Sequence, residues 1–191
     1  MRLRALLVLP FVLAVAASPA LAQDRAPRPL NVVTGAPIAY RIGVPRGWDV
    51  QRKTNGLTAT RRPAVMTFNA IDMVRAATID PRMTEADARR EMTAIVMGSD
   101  SATFHTMRRI MEMGGQAVPL RDVAYEIRTL GGERAGYMTG WSEDPDAPAE
   151  FARARWERYL TVKDGIAYML FFIVPDSRHE ELKPVLGRIV D

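Results

Sequence analysis

The sequence predicts an α+β protein, a three-layer α/β/α sandwich whose central sheet is mostly antiparallel. Dipeptides typical of tight turns separate segments with strand-like patterns: Asn55-Gly56, Gly131-Gly132 and Asp164-Gly165. Residues 166–174 are apolar on both faces, which predicts a central strand that is covered on both sides. Two segments with helical spacing, one after Thr84 and one after Ser177, can supply this cover.

The N-terminal residues 1–22 have the features of a secretion signal. Arg2 and Arg4 precede an apolar run, and Ala20-Leu21-Ala22 matches the small-x-small pattern of a cleavage site. The apolar run falls short of the roughly 20 residues that span a bilayer. We therefore expect cleavage after Ala22 and a periplasmic or secreted protein, rather than a membrane anchor.

The remaining chain predicts an extended leader, residues 23–36, followed by a single domain, residues 37–191. The absence of cysteine excludes a lipid anchor at the cleavage point and any disulfide. The net charge is +4, of which Arg2 and Arg4 contribute two, so the mature chain is nearly balanced. This balance argues against a nucleic-acid-binding protein. No other apolar segment is long enough to span a membrane, so we expect no membrane span after cleavage.

The first predicted strand, residues 38–44, alternates between apolar and less apolar side chains. Pro45 to Gly47 then turns the chain, and we expect the following Trp48 to close one end of the core. Further strands are predicted at 49–53, 57–61 and 65–74.

The middle of the chain predicts a helix that begins at Thr84, with Asp87 three residues later, and ends at Gly98. Residues 102–113 are ambiguous between helix and strand, although the spacing of their apolar residues favours a helix. Later strands are predicted around 123–127, 135–141, 151–163 and 166–174, with an acidic loop at 142–150. We expect Pro184 to kink or delay the last helix.

The corner Pro45-x-Gly47-Trp48, the hairpin with Tyr159, Asp164-Gly165 and Tyr168, and the closing amphipathic helix together resemble the PsbP-like superfamily of α/β/α sandwiches. The resemblance runs from about Ile38 to the C-terminus. It implies an exported bacterial member and, since the superfamily holds scaffolds and partners more often than enzymes, a binding or accessory role. It transfers no catalytic motif to this chain.

Two charged residues interrupt apolar strand faces. Asp72 shares a face with Phe68 and Ala70, and Arg158 shares one with Leu160. A charge on an apolar face should be paired or should border a cavity. If Asp72 and Arg158 met, they would form the polar floor of a cleft; otherwise each lies at a sheet margin and reaches water.

The opposite face of the strand that contains Arg158 is polar. Arg153, Arg155 and Glu157 form this face, which we interpret as solvated and as a candidate binding patch for an anion.

Metal ligation has weak sequence support. His105 is interpreted as a surface or boundary residue and His179 as a solvated residue at a helix start. The acidic residues Glu143, Asp144 and Asp146 lack the spacing of a calcium loop. The methionines 92, 97, 107, 111 and 113 are interpreted as core and boundary residues rather than copper ligands. We expect no metal and no other cofactor.

The sequence therefore predicts a non-catalytic binding or accessory module of the cell envelope, with an envelope protein or a small ligand as its partner. Two alternatives stay open. One is a hydrolase that uses carboxylates such as Asp72. The other is a metal-binding periplasmic protein that uses the methionines or the acidic cluster.

Overall fold

The computed structural model describes residues 30–77, 79–112 and 119–190. The strands are β1 (Leu30–Gly35), β2 (Tyr40–Pro45), β3 (Asp49–Lys53), β4 (Gly56–Arg61), β5 (Ala64–Asp72), β6 (Arg121–Leu130), β7 (Glu133–Glu143), β8 (Arg153–Lys163) and β9 (Ile166–Pro175). The helices are α1 (Met73–Ala76), α2 (Glu85–Met97), α3 (Ser101–Glu112) and α4 (His179–Val190). Short 3₁₀ turns precede β8 and α4.

Seven strands form one antiparallel sheet in the order β3-β4-β5-β9-β8-β7-β6, and β1 pairs with β2 in a separate hairpin. The run that is apolar on both faces is β9, the middle strand of the seven. This placement confirms the prediction of a central strand. Alternate side chains of a strand point to opposite faces of the sheet, so only a strand that is covered on both faces can bury all of them.

Helices cover both faces of the sheet and so complete the predicted three layers. On one face, α4 and the β1–β2 hairpin pack against side chains such as Leu170 and Phe172. On the other face, α2 and α3 pack against side chains such as Leu160 and Val162. The ambiguous segment 102–113 is thus helical up to Glu112, because its apolar residues fall on one helical face that the sheet buries.

The hairpin turns follow the predicted positions with one difference. Gly131, Gly132, Asp164 and Gly165 all have the positive φ that a tight hairpin turn requires. In the first hairpin, however, Lys53 pairs with Gly56, so the two turn residues are Thr54 and Asn55. Gly56 lies in β4, where a Cβ atom would come within 1.9 Å of the Phe68 carbonyl oxygen. A glycine is therefore required at position 56 by the close approach of β4 and β5, and not by the turn.

The predicted leader extends too far along the chain. Leu30–Gly35 form β1, and Val33 of this strand is buried in the core. The sequence of this segment, Leu-Asn-Val-Val-Thr-Gly, does not alternate regularly between apolar and polar residues, and its partner, β2, follows a four-residue turn. The domain therefore includes residues from Leu30 onward, while 23–29 lie outside the described residues.

The predicted corner has the expected geometry. Gly47 has a φ of 84°, and the Trp48 amide donates a hydrogen bond to the Pro45 carbonyl oxygen at 3.3 Å. Trp48 is only 9% exposed and belongs to the core on the face of the sheet that α4 covers. No helix among the described residues is long and apolar enough to span a bilayer.

Candidate ligand-binding site

Asp72 is the N-cap of α1. Its Oδ1 accepts hydrogen bonds from the amides of Val74 and Arg75, each at 3.2 Å, and its Oδ2 lies 3.1 Å from Nη2 of Arg89. Burial raises the pKa of Asp72, but the hydrogen bonds from Arg75 and Arg89 outweigh burial and hold the pKa below its usual range. A carboxylate that is held ionised in this way is a poor general acid at neutral pH.

Asp72 and Arg158 do not meet. In the sheet, Asp72 lies opposite Ile166, whereas Arg158 lies opposite Phe171, five positions further along β9. At about 3.3 Å per residue, this offset alone is on the order of 17 Å. The two charges therefore do not form the polar floor that was considered from the sequence.

Arg158 is 2% exposed and lies at the C-terminal end of α3, not at a sheet margin. Its Nη1 donates a hydrogen bond of 2.7 Å to the Met111 carbonyl oxygen, and its Nε has no hydrogen-bond partner among the described residues. The rings of Trp156 and Phe171 lie 5.5 and 5.3 Å from the guanidinium. Burial lowers the pKa of Arg158, and the negative end of the α3 dipole and the two ring faces compensate its charge.

Arg153 and Arg155 share the carboxylate of Asp176. Nε of Arg153 lies 2.8 Å from Oδ2 of Asp176, and Nη2 of Arg155 lies 3.0 Å from Oδ1. Arg153 also stacks on the ring of Trp141 at 4.1 Å. The two arginines therefore join β8 to the turn before α4, and a role in anion binding stays a prediction.

The third member of that strand face, Glu157, is not solvated. It is 6% exposed, and its Oε1 lies 2.6 Å from Nε2 of His179, the first residue of α4. His179 was expected in water, but its side chain is only 15% exposed because α4 presses it against β8. Two tyrosines lie nearby: burial, together with the charge of Glu157, raises the pKa of Tyr137 and raises that of Tyr159 to about 12.

The candidate metal ligands do not converge. Among residues 30–77, 79–112 and 119–190, no three His, Asp or Glu side chains are close enough to hold an ion. Met107 and Met111 lie on the buried face of α3, as expected for core residues, and His105 is exposed, also as expected. Met113 lies outside the described residues.

A cavity of about 530 Å³ lies between the β1–β2 hairpin, the sheet and the C-terminal end of α4. We call it the hairpin cavity. Its apolar wall consists of Leu30, Val32, Ile42, Phe68, Leu130 and Ile189, with the rings of Tyr40 and Tyr168. Its size lies in the range typical of small-molecule sites.

Three aromatic rings form the inner part of the hairpin cavity. The Tyr40 and Phe68 ring centres are 4.8 Å apart, and those of Phe68 and Tyr168 are 6.4 Å apart. Both phenol groups donate to backbone carbonyl oxygens: Tyr40 to Gly56 at 3.1 Å and Tyr168 to Ala39 at 3.4 Å. These bonds fix the rings, so the wall is formed before any ligand arrives.

The rim of the hairpin cavity is mainly cationic. Arg41, Lys163 and Arg188 line it together with one acidic residue, Glu133. Nζ of Lys163 lies 2.5 Å from Oε1 of Glu133, and this hydrogen bond raises the pKa of Lys163. Three of the four charged side chains that line the cavity are therefore cationic.

None of the four predicted binding residues lines the hairpin cavity. Sequence analysis missed its walls because they come from seven strands and α4, and the polar or apolar character of each strand does not reveal which strands meet. One signal was present: Phe68 and Tyr168 lie on strand faces that were predicted to be apolar, and aromatic residues on facing strands often line pockets.

No protein-family model matches the sequence, and no curated protein matches it. Among solved structures, the fold is similar to the solution structure of cyanobacterial PsbP (CyanoP) from Synechocystis sp. PCC 6803. The two chains are 14% identical, the match covers 84% of this chain and 89% of that chain, and the TM-score is 0.45. The protein has a mixed α+β fold with a seven-stranded antiparallel sheet and flanking helices.

Proposed function

We propose that the protein is an exported, non-catalytic binding module that holds a small amphipathic anion in the hairpin cavity. The observation that carries this proposal is the combination of a preformed apolar wall with a cationic rim. Apolar surface supplies most of the binding free energy, and the few charged groups orient the ligand.

The chemical class of the ligand follows from the two parts of the cavity. The rings of Phe68 and Tyr168 match an alkyl or aromatic body. Lys163 and Arg41 match a carboxylate or another acidic head, since a charge-assisted hydrogen bond is about twice as strong as a neutral one. A fatty acid of medium length is the simplest molecule with both features.

A binding role is also consistent with the fixed side chains around the cavity. The hydroxyl of Thr161 donates to the Arg134 carbonyl oxygen at 2.8 Å, and both tyrosine hydroxyls are engaged as described. Nucleophilic catalysis requires a nucleophile with a base in reach. Hydroxyl groups that donate hydrogen bonds to backbone carbonyl oxygens serve to position a ligand. They do not react with it.

Export is part of the proposal and has its own test. If Ala20-Leu21-Ala22 directs cleavage, the mass of the protein recovered from the periplasm or medium matches a chain that begins at Gln23. Recovery of the uncleaved chain in the membrane fraction would contradict export.

The binding test uses isothermal titration calorimetry with decanoate and, as a matched probe of opposite charge, decyltrimethylammonium. We expect decanoate to bind and the cation not to bind. Lys163→Met should weaken decanoate binding about tenfold, as expected for the loss of one charge-assisted contact. Lys183→Met, on the exposed face of α4, is the control and should bind as the parent does.

A second variant tests the place of binding. Ala39 lies at the exposed mouth of the cavity, so Ala39→Trp should fill the opening and abolish decanoate binding without disturbing the core. Ala94→Trp, exposed on α2, is the control. Equal binding by both tryptophan variants would contradict the hairpin cavity as the site.

A further inference from the structure

The two edges of the seven-stranded sheet differ in their protection. β3 is short, with five residues, and ends in Arg52 and Lys53, which are typical of a protected edge. β6 has ten residues, most of them exposed. Ile127, in the middle of β6, is 43% exposed. A long exposed edge with central apolar side chains is a template for pairing with another strand.

Neither side of β6 is fully covered in the described structure. On the α4 side, an open groove of about 780 Å³ runs between β6 and α4, from Ile127 and Arg128 to Gly187 and Val190. No strand among the described residues pairs with the outer edge of β6.

We propose that β6 is the interface of a symmetric homodimer, in which β6 pairs antiparallel with β6 of a second copy about a two-fold axis at Ile127. A second copy of the chain is the partner that fits this edge, because the sequence Ala124–Leu130 is complementary to itself. With the axis at Ile127, Glu126 lies opposite Arg128 of the second copy, and Arg128 lies opposite its Glu126. Tyr125 lies opposite Thr129, and Ala124 lies opposite Leu130.

The charges favour this register over its neighbours. Arg128 and Glu126 already form an ion pair within each strand, with 2.8 Å between Nη2 and Oε2. Pairing about Ile127 therefore brings four charges of alternating sign together. A shift of the axis to Glu126 would place two glutamates opposite each other, and like charges in this position are destabilising.

The backbone favours the same register. β6 pairs regularly with β7 from Ala124 to Leu130, and a bulge interrupts the pairing between Arg121 and Ala124. A bulge ends regular pairing on the outer edge as well. The regular stretch of β6 is thus centred on Ile127, and the two sheets would join into one of fourteen strands.

The experiment uses the exported protein and the absence of cysteine from its sequence. Ile127→Cys places its thiol on the two-fold axis, so mild oxidation with diamide should link two chains covalently in high yield. Tyr125→Cys tests the register shifted by two residues, and Gln51→Cys tests the opposite edge. Both should give little cross-linked product. A cross-link at Tyr125→Cys or Gln51→Cys that exceeds that at Ile127→Cys overturns the proposal.

Sedimentation equilibrium of the cysteine-free protein provides the second measurement. We expect a monomer–dimer equilibrium that Glu126→Arg weakens about tenfold, because the substitution places an arginine opposite Arg128 of the other copy at two symmetric positions. Ile95→Lys, on the exposed surface of α2, is the control and should leave the equilibrium unchanged. A parent protein that stays monomeric at high concentration overturns the homodimer. So does a parent protein whose β6 edge pairs with an added peptide but not with a second copy.

Discussion

Nε2 of His179 lies 2.6 Å from Oε1 of Glu157, and this contact fixes the start of α4 on the central sheet. The other ring nitrogen, Nδ1, lies 3.2 Å from Oε1 of Glu180. The ring therefore contacts two carboxylates, that of Glu157 on β8 and that of Glu180 on α4. The contact between His179 and Glu157 therefore joins α4, which borders the hairpin cavity, to β8 of the central sheet.

Substitution of His179 tests the weight of this contact. His179→Ala leaves the buried carboxylate of Glu157 without its partner, so we expect the free energy of unfolding to fall by about 1–3 kcal/mol. Chemical denaturation measures this change. His105→Ala, at an exposed position, should change stability by less than about 0.5 kcal/mol. Equal stabilities of the two variants would show that the contact contributes nothing.

The cap formed by Asp72 predicts a pH-dependent contribution to stability. Its pKa is lowered in the folded protein, so the contribution is present above the unfolded pKa of about 3.9 and is lost as the pH falls toward the folded value. Asp72→Ala should cost about 0.5–2 kcal/mol at pH 7, and the difference from the parent should shrink in acid. Denaturation at several pH values measures it, with Asp146→Ala as the control. A difference that is constant with pH would contradict the ionised cap.

Trp48 is expected to contribute strongly to the core. Its side chain is buried in the core, so Trp48→Ala should lower the free energy of unfolding by about 3–5 kcal/mol. Thermal unfolding provides the comparison, with the exposed Val32→Ala as control. An unchanged melting temperature would place the ring in solvent.

Arg158 is expected to hold the end of α3. Arg158→Ala removes the hydrogen bond to the Met111 carbonyl and leaves a cavity beside Trp156, so amide hydrogen exchange should accelerate in the last turn of α3. Exchange in α4 should change little, because α4 lies on the other face of the sheet. Amide exchange that stays slow throughout α3 in the variant would contradict the prediction that Arg158 holds the end of this helix.

The elements of the fold were predictable because their signals are local. Gly131-Gly132 predicts a hairpin turn, and the apolar residues on both faces of β9 predict a central strand. Each signal lies within about ten residues of sequence. β1 was missed because its partner lies beyond a turn with no hairpin signal. Glu157 was misplaced for a related reason: its burial depends on where α4 lands, which no pattern within β8 reveals.

The candidate site was less predictable than the fold. Asp72 and Arg158 interrupt apolar strand faces, but the sequence does not show that each is engaged by a neighbouring helix. The hairpin cavity depends on Tyr40, Phe68 and Tyr168 meeting across strands that are distant in sequence. Such meetings follow from strand order, which pattern analysis of single segments does not provide.

The most direct test of the account is a measurement of nuclear Overhauser effects between decanoate and the protein. We predict contacts between the decanoate methylene protons and the ring protons of Phe68 and Tyr168, together with chemical-shift changes at Lys163. Contacts with Trp156 and Phe171 on the opposite face of the sheet, or the absence of any contact at saturating decanoate, would contradict the hairpin cavity as a binding site for amphipathic anions.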